Sequence, residues 1–275
     1  MGATRRDFLI GAGAVAAGLS LGFARGSAQP VAPHPDAAKF ESGDFLWPAK
    51  EGAFIPFDGN AAERKEAERR EWEAQRQAFV ADARNSPDPA KKEAAERLEK
   101  LSYDDFHALY FDDRPADVPQ GLALPIPDVG HCAMIEIDGS GVPWIIEAIP
   151  RGGKRYESIY TRFANGVVRS PYASWIAEHP DYRVWHGRVN GFAAPARAKM
   201  VDAAKVYLGR EYWFWSFDLA DETAFYCSKL LWIAAQKTLG IALDGDLSTA
   251  RSFWVSPKRL LNASSLTLLH NPGRF

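Results

Sequence analysis

Residues 131–148 read HCAMIEIDGSGVPWIIEA and predict the centre of the fold. Two apolar, partly alternating runs flank a glycine-containing turn, a pattern that is typical of a β-hairpin. Because side chains alternate along a strand, the length of the turn decides whether His131 and Glu147 share a face of the sheet. A three-residue turn, either Asp138–Ser140 or Gly139–Gly141, puts them on one face. Glycine favours such a turn, so we predict that His131 and Glu147 lie within bonding reach.

Further elements follow the hairpin in an order that predicts an α+β fold. The sequence indicates a short helix in SPYASWIAEHP, a strand in YRVWHGRV, a helix in APARAKMVDAAKVYLG that Gly209 ends, and a last strand in SSLTLLHN. Before the hairpin, residues 42–57 (SGDFLWPAKEGAFIPF) predict one or two short strands. Together these elements predict a mainly antiparallel sheet with packed helices.

The region 60–117 differs in composition and predicts a helical insertion into this domain. It is rich in Ala, Glu, Arg and Lys, which favour helices. Acidic and basic residues alternate there, so the charges indicate solvated helix faces rather than a basic membrane-binding surface. Trp72, Phe79 and Val80 are expected to pack the insertion onto the rest of the domain.

The first 28 residues predict an export signal rather than part of the fold. Arg5 and Arg6 directly precede a mildly apolar, Ala- and Gly-rich run, as in a twin-arginine signal, and small residues allow cleavage after Ala28. Residues 29–41 predict a linker, and residues 42–275 the folded domain. The twin-arginine export machinery is then a partner, and the location is periplasmic or otherwise extracytoplasmic. An uncleaved signal that anchors the protein in a membrane is the alternative.

Composition and motifs exclude several function classes. The formal net charge of −2 provides no basic footprint for nucleic acid. The six histidines have no metal-ligand spacing, and the sequence contains no HExxH, CxxC or GxSxG motif. We therefore expect no metal and no organic cofactor. Two cysteines are too few for a disulfide framework.

One of these cysteines, Cys227, lies at the predicted start of a helix in ETAFYCSKLLWIAAQKTLG, residues 222–240. The positive end of a helix dipole lowers the pKa of a thiol, so Cys227 is a candidate nucleophile. The alternative is a packed core cysteine. His131, which opens a strand, and Glu147, in an otherwise apolar strand, complete a candidate Cys–His–carboxylate triad. The alternative for His131 is a strand-edge histidine that bonds the backbone.

The same motifs, in this order, resemble a known family. Gly130–His131, Glu147–Ala148, YLGREYWFWSF and YCSKLLW resemble segments of the YiiX-type permuted papain-like amidases, the circularly permuted branch of the NlpC-type cell-wall peptidases. The resemblance covers residues 42–57 and 129–262. It implies a permuted papain-like fold with Cys227 as nucleophile, His131 as base and Glu147 as the residue that orients the base. Tyr212 matches a tyrosine that lines the family's substrate pocket. Lys229 and Trp213 stand where the family has acidic residues.

The resemblance implies an exported cysteine hydrolase that cleaves an amide bond in a cell-envelope peptide or an N-acyl substrate through a thioester. Two alternatives stay open: a lipid-acting acyltransferase or hydrolase with the same triad, and a catalytically silent envelope-binding protein. Strand alternation predicts that Cys132 points away from Cys227 if His131 faces it, which argues against a Cys132–Cys227 disulfide. His186, in a strand among aromatic residues, is expected to be structural.

Overall fold

The computed structural model describes residues 32–49, 61–111, 130–150, 165–245 and 253–273. Contacts group residues 31–275 into one compact unit. The predicted export signal, residues 29–31 of the predicted linker, the second half of the segment 42–57 and both ends of the insertion lie outside the described residues, whereas residues 32–41 are described and bury Phe40 against the sheet.

The described chain forms a single sheet and packed helices. The strands are β1 (Phe45–Ala49), β2 (Ala133–Ile137), β3 (Pro143–Ile149), β4 (Gly166–Pro171), β5 (Arg183–Val189), β6 (Glu211–Tyr212), β7 (Ala224–Phe225) and β8 (Leu266–His270). The helices are α1 (Ala61–Arg84), α2 (Pro89–Lys100), α3 (Tyr103–Phe106), α4 (Tyr172–Ala177), α5 (Ala194–Lys205), α6 (Cys227–Leu239) and α7 (Pro257–Leu261). A 3₁₀ turn (Ala37–Lys39) and a π-helical turn (His107–Phe111) complete the described elements.

The sheet has the strand order β7-β6-β4-β3-β2-β1-β5-β8. Its neighbours are antiparallel except for β6 and β7, which are parallel. The predicted α+β class and the mainly antiparallel sheet are therefore confirmed. Strand β4 was not anticipated, because its sequence GVVRSP contains no clear alternation. Its Arg169 pairs with Glu136 of β2 and lies 3.7 Å from the ring centre of Trp144, so contacts across the sheet stabilise a strand that local pattern does not predict.

The hairpin between β2 and β3 has the predicted odd loop. Ile137 pairs with Pro143, and the Asp138 N–H donates to the Val142 carbonyl at 3.0 Å, which leaves Gly139–Gly141 as the loop. Gly141 adopts a φ of +82°, a conformation that glycine reaches without steric cost. Continuing this register puts Glu147 opposite Ala133, diagonal to His131, as the Gly139–Gly141 alternative predicted.

Both faces of the sheet are covered. Helices α5 and α6 pack on the face that carries Cys132, Met134, Ile146 and Ala148. Helix α4 packs on the opposite face, where the buried residues include Ala133, Ile135, Ile145 and Trp175. This alternation follows from the period of two along β2 and β3.

Helix α6 is buried more completely than a single apolar stripe predicts. Every residue from Cys227 to Ala235 is buried, including Lys229. Gly240 ends the helix with a φ of +67°, as the sequence predicts. Because the helix contacts the sheet and α5 and lies in one core cluster with the surrounding aromatic residues, it forms the centre of the molecule.

The helical insertion packs into the same core. The ring of Trp72 lies 5.6 Å from that of Phe106, which in turn lies 5.6 Å from Trp215, and Phe79 lies 6.3 Å from Phe217. The predicted contact of Phe79 is thus confirmed, whereas the ring contacts of Trp72 are to Tyr103 and Phe106 of the insertion itself, through which Trp72 joins the shared core. The prediction for Val80 is wrong, because it packs with Ala83 and Ala95 between α1 and α2 rather than on the rest of the domain. None of the helices in the described ranges has both the length and the apolar content of a membrane span.

Candidate active site

Cys227 is the first residue of α6, and both of its neighbours fix it in place. The hydroxyl of Tyr226 accepts a hydrogen bond from the Val255 N–H at 3.0 Å, and its ring stacks on Trp254. On the other side, the Ser228 hydroxyl donates to the Val255 carbonyl at 2.8 Å. These contacts tie the helix start to residues 254–255. They hold the thiol at the position where the helix dipole favours a negative charge.

His131 bonds Glu147 as the hairpin predicts. The Nε2 atom of His131 lies 2.7 Å from Oε2 of Glu147, and both residues are 1% exposed. The indole N–H of Trp175, in α4, donates to the same carboxylate oxygen at 3.2 Å. The His131 side chain also hydrogen bonds Cys227, and Nδ1 is the ring nitrogen that Glu147 leaves available. A continuous chain of hydrogen bonds therefore runs from Trp175 through the carboxylate and the imidazole to the thiol.

The electrostatics of this chain favour a thiolate beside an imidazolium. Burial alone would lower the pKa of His131, but the charges and hydrogen bonds of Cys227 and Glu147 raise it to about 10. Burial alone would raise the pKa of Cys227, but hydrogen bonds from Cys132 and the neighbouring His131 lower it well below its usual value. Each group thus stabilises the charged form of the other, which is how cysteine nucleophiles are activated.

The structure corrects the prediction for Cys132. Its thiol and its backbone N–H both hydrogen bond Cys227, although strand alternation had suggested that it points away. The reason is that His131 and Cys132 precede Ala133, where the β2 ladder begins, so alternation does not restrict the His131 ring. Cys132 lies on the α6 face, and the His131 side chain contacts both Glu147 on the α4 face and Cys227. Both cysteines are free thiols.

The remaining predicted residues lie around this centre. Tyr212 is half-buried on β6 and pairs with Phe225, two residues before Cys227, and its role in substrate binding stays a prediction. His186 bonds the buried Asp44 at 2.8 Å, which confirms its structural position. Lys229 points into the core, where its ammonium donates to the Ser216 hydroxyl at 2.8 Å and the Ala224 carbonyl at 2.9 Å.

Sequence reasoning missed two residues of the site, Trp175 and the thiol of Cys132. No local signal marks Trp175, since it reaches Glu147 from a helix 28 residues away. Cys132 could be placed only once the position of α6 on the sheet was known. Within the described ranges, no group of three or more His, Cys, Asp or Glu side chains is arranged to hold a metal ion.

Comparisons with known proteins find a similarity to a solved structure. No protein-family model and no curated protein sequence matches the chain. Among solved structures, the chain is similar to the metalloprotein YiiX from Escherichia coli O157:H7, at 17% sequence identity and a TM-score of 0.44. The similarity covers 84% of this chain and 97% of the other. It assigns no activity, ligand or metal to the residues of this site.

Proposed function

We propose that this chain is an exported cysteine hydrolase of the permuted papain-like, NlpC-type class that cleaves an amide bond. The observation that carries the proposal is the buried hydrogen-bonded chain of Glu147, His131 and Cys227, with the thiol at the first residue of a helix. Nucleophile, base and orienting carboxylate in mutual contact are the arrangement that covalent acyl transfer requires.

Each side chain has a defined role in the proposed reaction. The Cys227 thiolate attacks the acyl carbon, and the His131 imidazolium donates its proton to the leaving amine, which leaves a thioester on Cys227. Neutral His131 then takes a proton from water, the resulting hydroxide attacks the thioester, and the thiolate is released. Glu147 holds the ring so that Nδ1 faces the sulfur throughout.

The helix start provides donors for the negative charge that develops on the acyl oxygen. The first backbone N–H groups of an α-helix have no acceptor within the helix. Cys227 begins α6, so these groups lie beside its sulfur, and the Cys132 N–H also points at Cys227. Donors fixed in this way stabilise a tetrahedral intermediate without reorganisation.

The substrate class comes from the sequence resemblance rather than from a contact in the site. We propose a cell-envelope peptide or an N-acylated molecule, reached after export by the twin-arginine machinery. The lowered pKa of Cys227 favours an enzyme over a catalytically silent binding protein, because a silent fold has no need to stabilise a buried thiolate.

Covalent labelling tests the proposal directly. A thiol-directed acyl probe should label the wild type at Cys227, and Cys227→Ala and His131→Gln should abolish labelling. His186→Gln is the matched control for His131→Gln, since His186 is also buried and bonded to a carboxylate but contacts Asp44 instead of Glu147. Equal labelling of the wild type and Cys227→Ala would refute the assignment of the nucleophile.

Product analysis then separates substrate classes. The wild type is incubated with peptidoglycan fragments, with N-acylated peptides and with phospholipid vesicles, and mass spectrometry follows both the products and any acyl adduct on Cys227. Cleavage of an amide supports the proposal, whereas release of fatty acid from phospholipid with intact peptides would replace it with the lipid-acting alternative.

A further inference from the structure

The two cysteines of this 275-residue chain meet at one point, although 94 residues separate them in sequence. Helix α6 lies on β2, and both side chains belong to the same buried cluster. The Cys132 thiol hydrogen bonds the Cys227 sulfur, and both cysteines are free and buried. In the proposed hydrolytic reaction the Cys132 thiol only donates a hydrogen bond to Cys227, and no bond-making step uses it.

We propose that Cys132 is a resolving thiol: after a peroxide oxidises Cys227, the two residues close a reversible Cys132–Cys227 disulfide that inactivates the nucleophile and protects it from irreversible oxidation. The loss of hydrolysis on oxidation rests on the proposed function. Formation of the disulfide does not, because it needs only the two thiols and an oxidant.

The reaction balances with hydrogen peroxide as the oxidant. The Cys227 thiolate attacks one peroxide oxygen, the O–O bond breaks, and a proton from His131 converts the departing hydroxide into water, which leaves a sulfenic acid. His131, now neutral, accepts the proton of Cys132. The Cys132 sulfur then attacks the Cys227 sulfur, the S–O bond breaks, and the oxygen leaves as a second water after protonation. Two thiols and one peroxide give one disulfide and two waters.

The charges of the site impose an order on these steps. Burial and the adjacent Cys227 thiolate raise the pKa of Cys132 well above its usual value, so it stays a neutral thiol while Cys227 is reduced. Oxidation to the sulfenic acid removes the negative charge on Cys227 and with it one cause of that raised pKa. Cys132 therefore becomes a better nucleophile only after Cys227 has been oxidised.

The backbone near Cys132 permits the Cys132–Cys227 disulfide to form. A disulfide requires an S–S distance of about 2 Å, so the hydrogen-bonded sulfurs must move closer together. Cys132 lies before Ala133, the first residue of β2, and can shift without breaking a ladder pair. Because both thiols are buried, the site selects a small oxidant such as hydrogen peroxide over a bulky disulfide. The bond would also close a long loop of the unfolded chain, which raises the thermal midpoint of the oxidised protein.

Peptide mapping of the full-length protein tests the proposal. The wild type, Cys132→Ser, Cys132→Ala and Cys227→Ser are treated with one equivalent of hydrogen peroxide, alkylated and digested without reductant. We expect a peptide pair joined through Cys132 and Cys227 in the wild type alone. In a second treatment, each protein receives excess peroxide and is then reduced with dithiothreitol. Alkylation of Cys227 should recover in the wild type. In Cys132→Ser and Cys132→Ala, where sulfinic and sulfonic acids accumulate, it should recover to less than about a tenth of the wild-type level.

The wild-type result decides the question even if a variant fails to fold. Sulfinic acid at Cys227 of the wild type without the joined peptide would overturn the proposal, as would full recovery of Cys227 in a folded Cys132 variant. The readouts are covalent masses rather than hydrolysis. A protein that forms the disulfide but cleaves no amide refutes the proposed function alone, and one that cleaves an amide but forms no disulfide refutes the resolving role alone.

Discussion

Replacing Glu147 by Gln removes one charge from the site while keeping the shape of the side chain. The amide oxygen can still accept a hydrogen bond from Nε2 of His131, but the negative charge that favours the imidazolium is lost. Glu147 and His131 are both 1% exposed, so solvent screens their interaction little. The pKa of His131 should therefore fall in this variant.

The size of the fall follows from the pKa of His131 in the native site. A rise from 6.5 to about 10 corresponds to about 5 kcal/mol in favour of the protonated ring, at about 1.4 kcal/mol per pKa unit. Cys227 and Glu147 supply this energy together against the cost of burial. An adjacent opposite charge typically shifts a pKa by about 1–3 units, so we expect the pKa of His131 in Glu147→Gln to fall by that amount.

Nuclear magnetic resonance of labelled histidine measures this value without a known substrate. The ring C–H signal of His131, assigned by its absence in His131→Gln, is followed between pH 5 and pH 11. Glu136→Gln is the matched control, because Glu136 is also a buried carboxylate of the same hairpin but pairs with Arg169 and Lys205. A folded Glu147→Gln protein that titrates at the wild-type midpoint would refute the triad geometry.

The pair of His131 and Glu147 also makes the free energy of unfolding depend on pH in a defined direction. The pKa of His131 is raised in the folded protein, so its contribution is fully present below pH 6.5 and is lost as the pH rises through about 10. Urea unfolding should therefore show that the wild type is more stable than Glu147→Gln at pH 7, and that the difference shrinks as the pH rises and has nearly vanished once it passes about 10. A difference that grows with pH would contradict this account.

Three further changes test the surroundings of the site. Burial lowers the pKa of Lys229 to about 8, so between pH 8 and 10.5 the unfolded chain binds a proton that the folded protein lacks. The unfolding free energy of the wild type minus that of Lys229→Met should rise by about 2–3 kcal/mol from pH 7 to pH 10. A difference that does not change with pH would show that burying the Lys229 ammonium costs no stability. Gly43→Ala should cost about 2–4 kcal/mol of stability in urea unfolding, because φ is +88° and the new Cβ would lie 2.4 Å from a backbone oxygen of α5. Gly141→Ala, with φ of +82° but open space around it, is the control and should cost only about 1–2 kcal/mol. Trp175→Phe removes a hydrogen bond to the buried carboxylate of Glu147 and should cost about 1–3 kcal/mol by the same method, and an unchanged midpoint would show that this bond contributes nothing.

The local sequence was sufficient for the hairpin and for the position of Cys227. Alternation and the two glycines predict β2, β3 and an odd loop, because strand period and turn geometry are properties of neighbouring residues. The apolar spacing and Gly240 likewise predict the helix that Cys227 begins. The bond between His131 and Glu147 follows from that register.

The tertiary structure alone decided what surrounds these residues. Trp175 donates its hydrogen bond to Glu147 because α4 covers one face of the sheet. Lys229 is buried because α6 is enclosed on all sides. Neither position differs in local pattern from an ordinary amphipathic helix. Cys132 shows most clearly where strand alternation stops predicting side-chain direction, since its contact with Cys227 arises before the first paired residue of β2. Periodicity predicts side-chain direction only inside a regular element, whereas contacts at its ends depend on how distant parts of the chain pack.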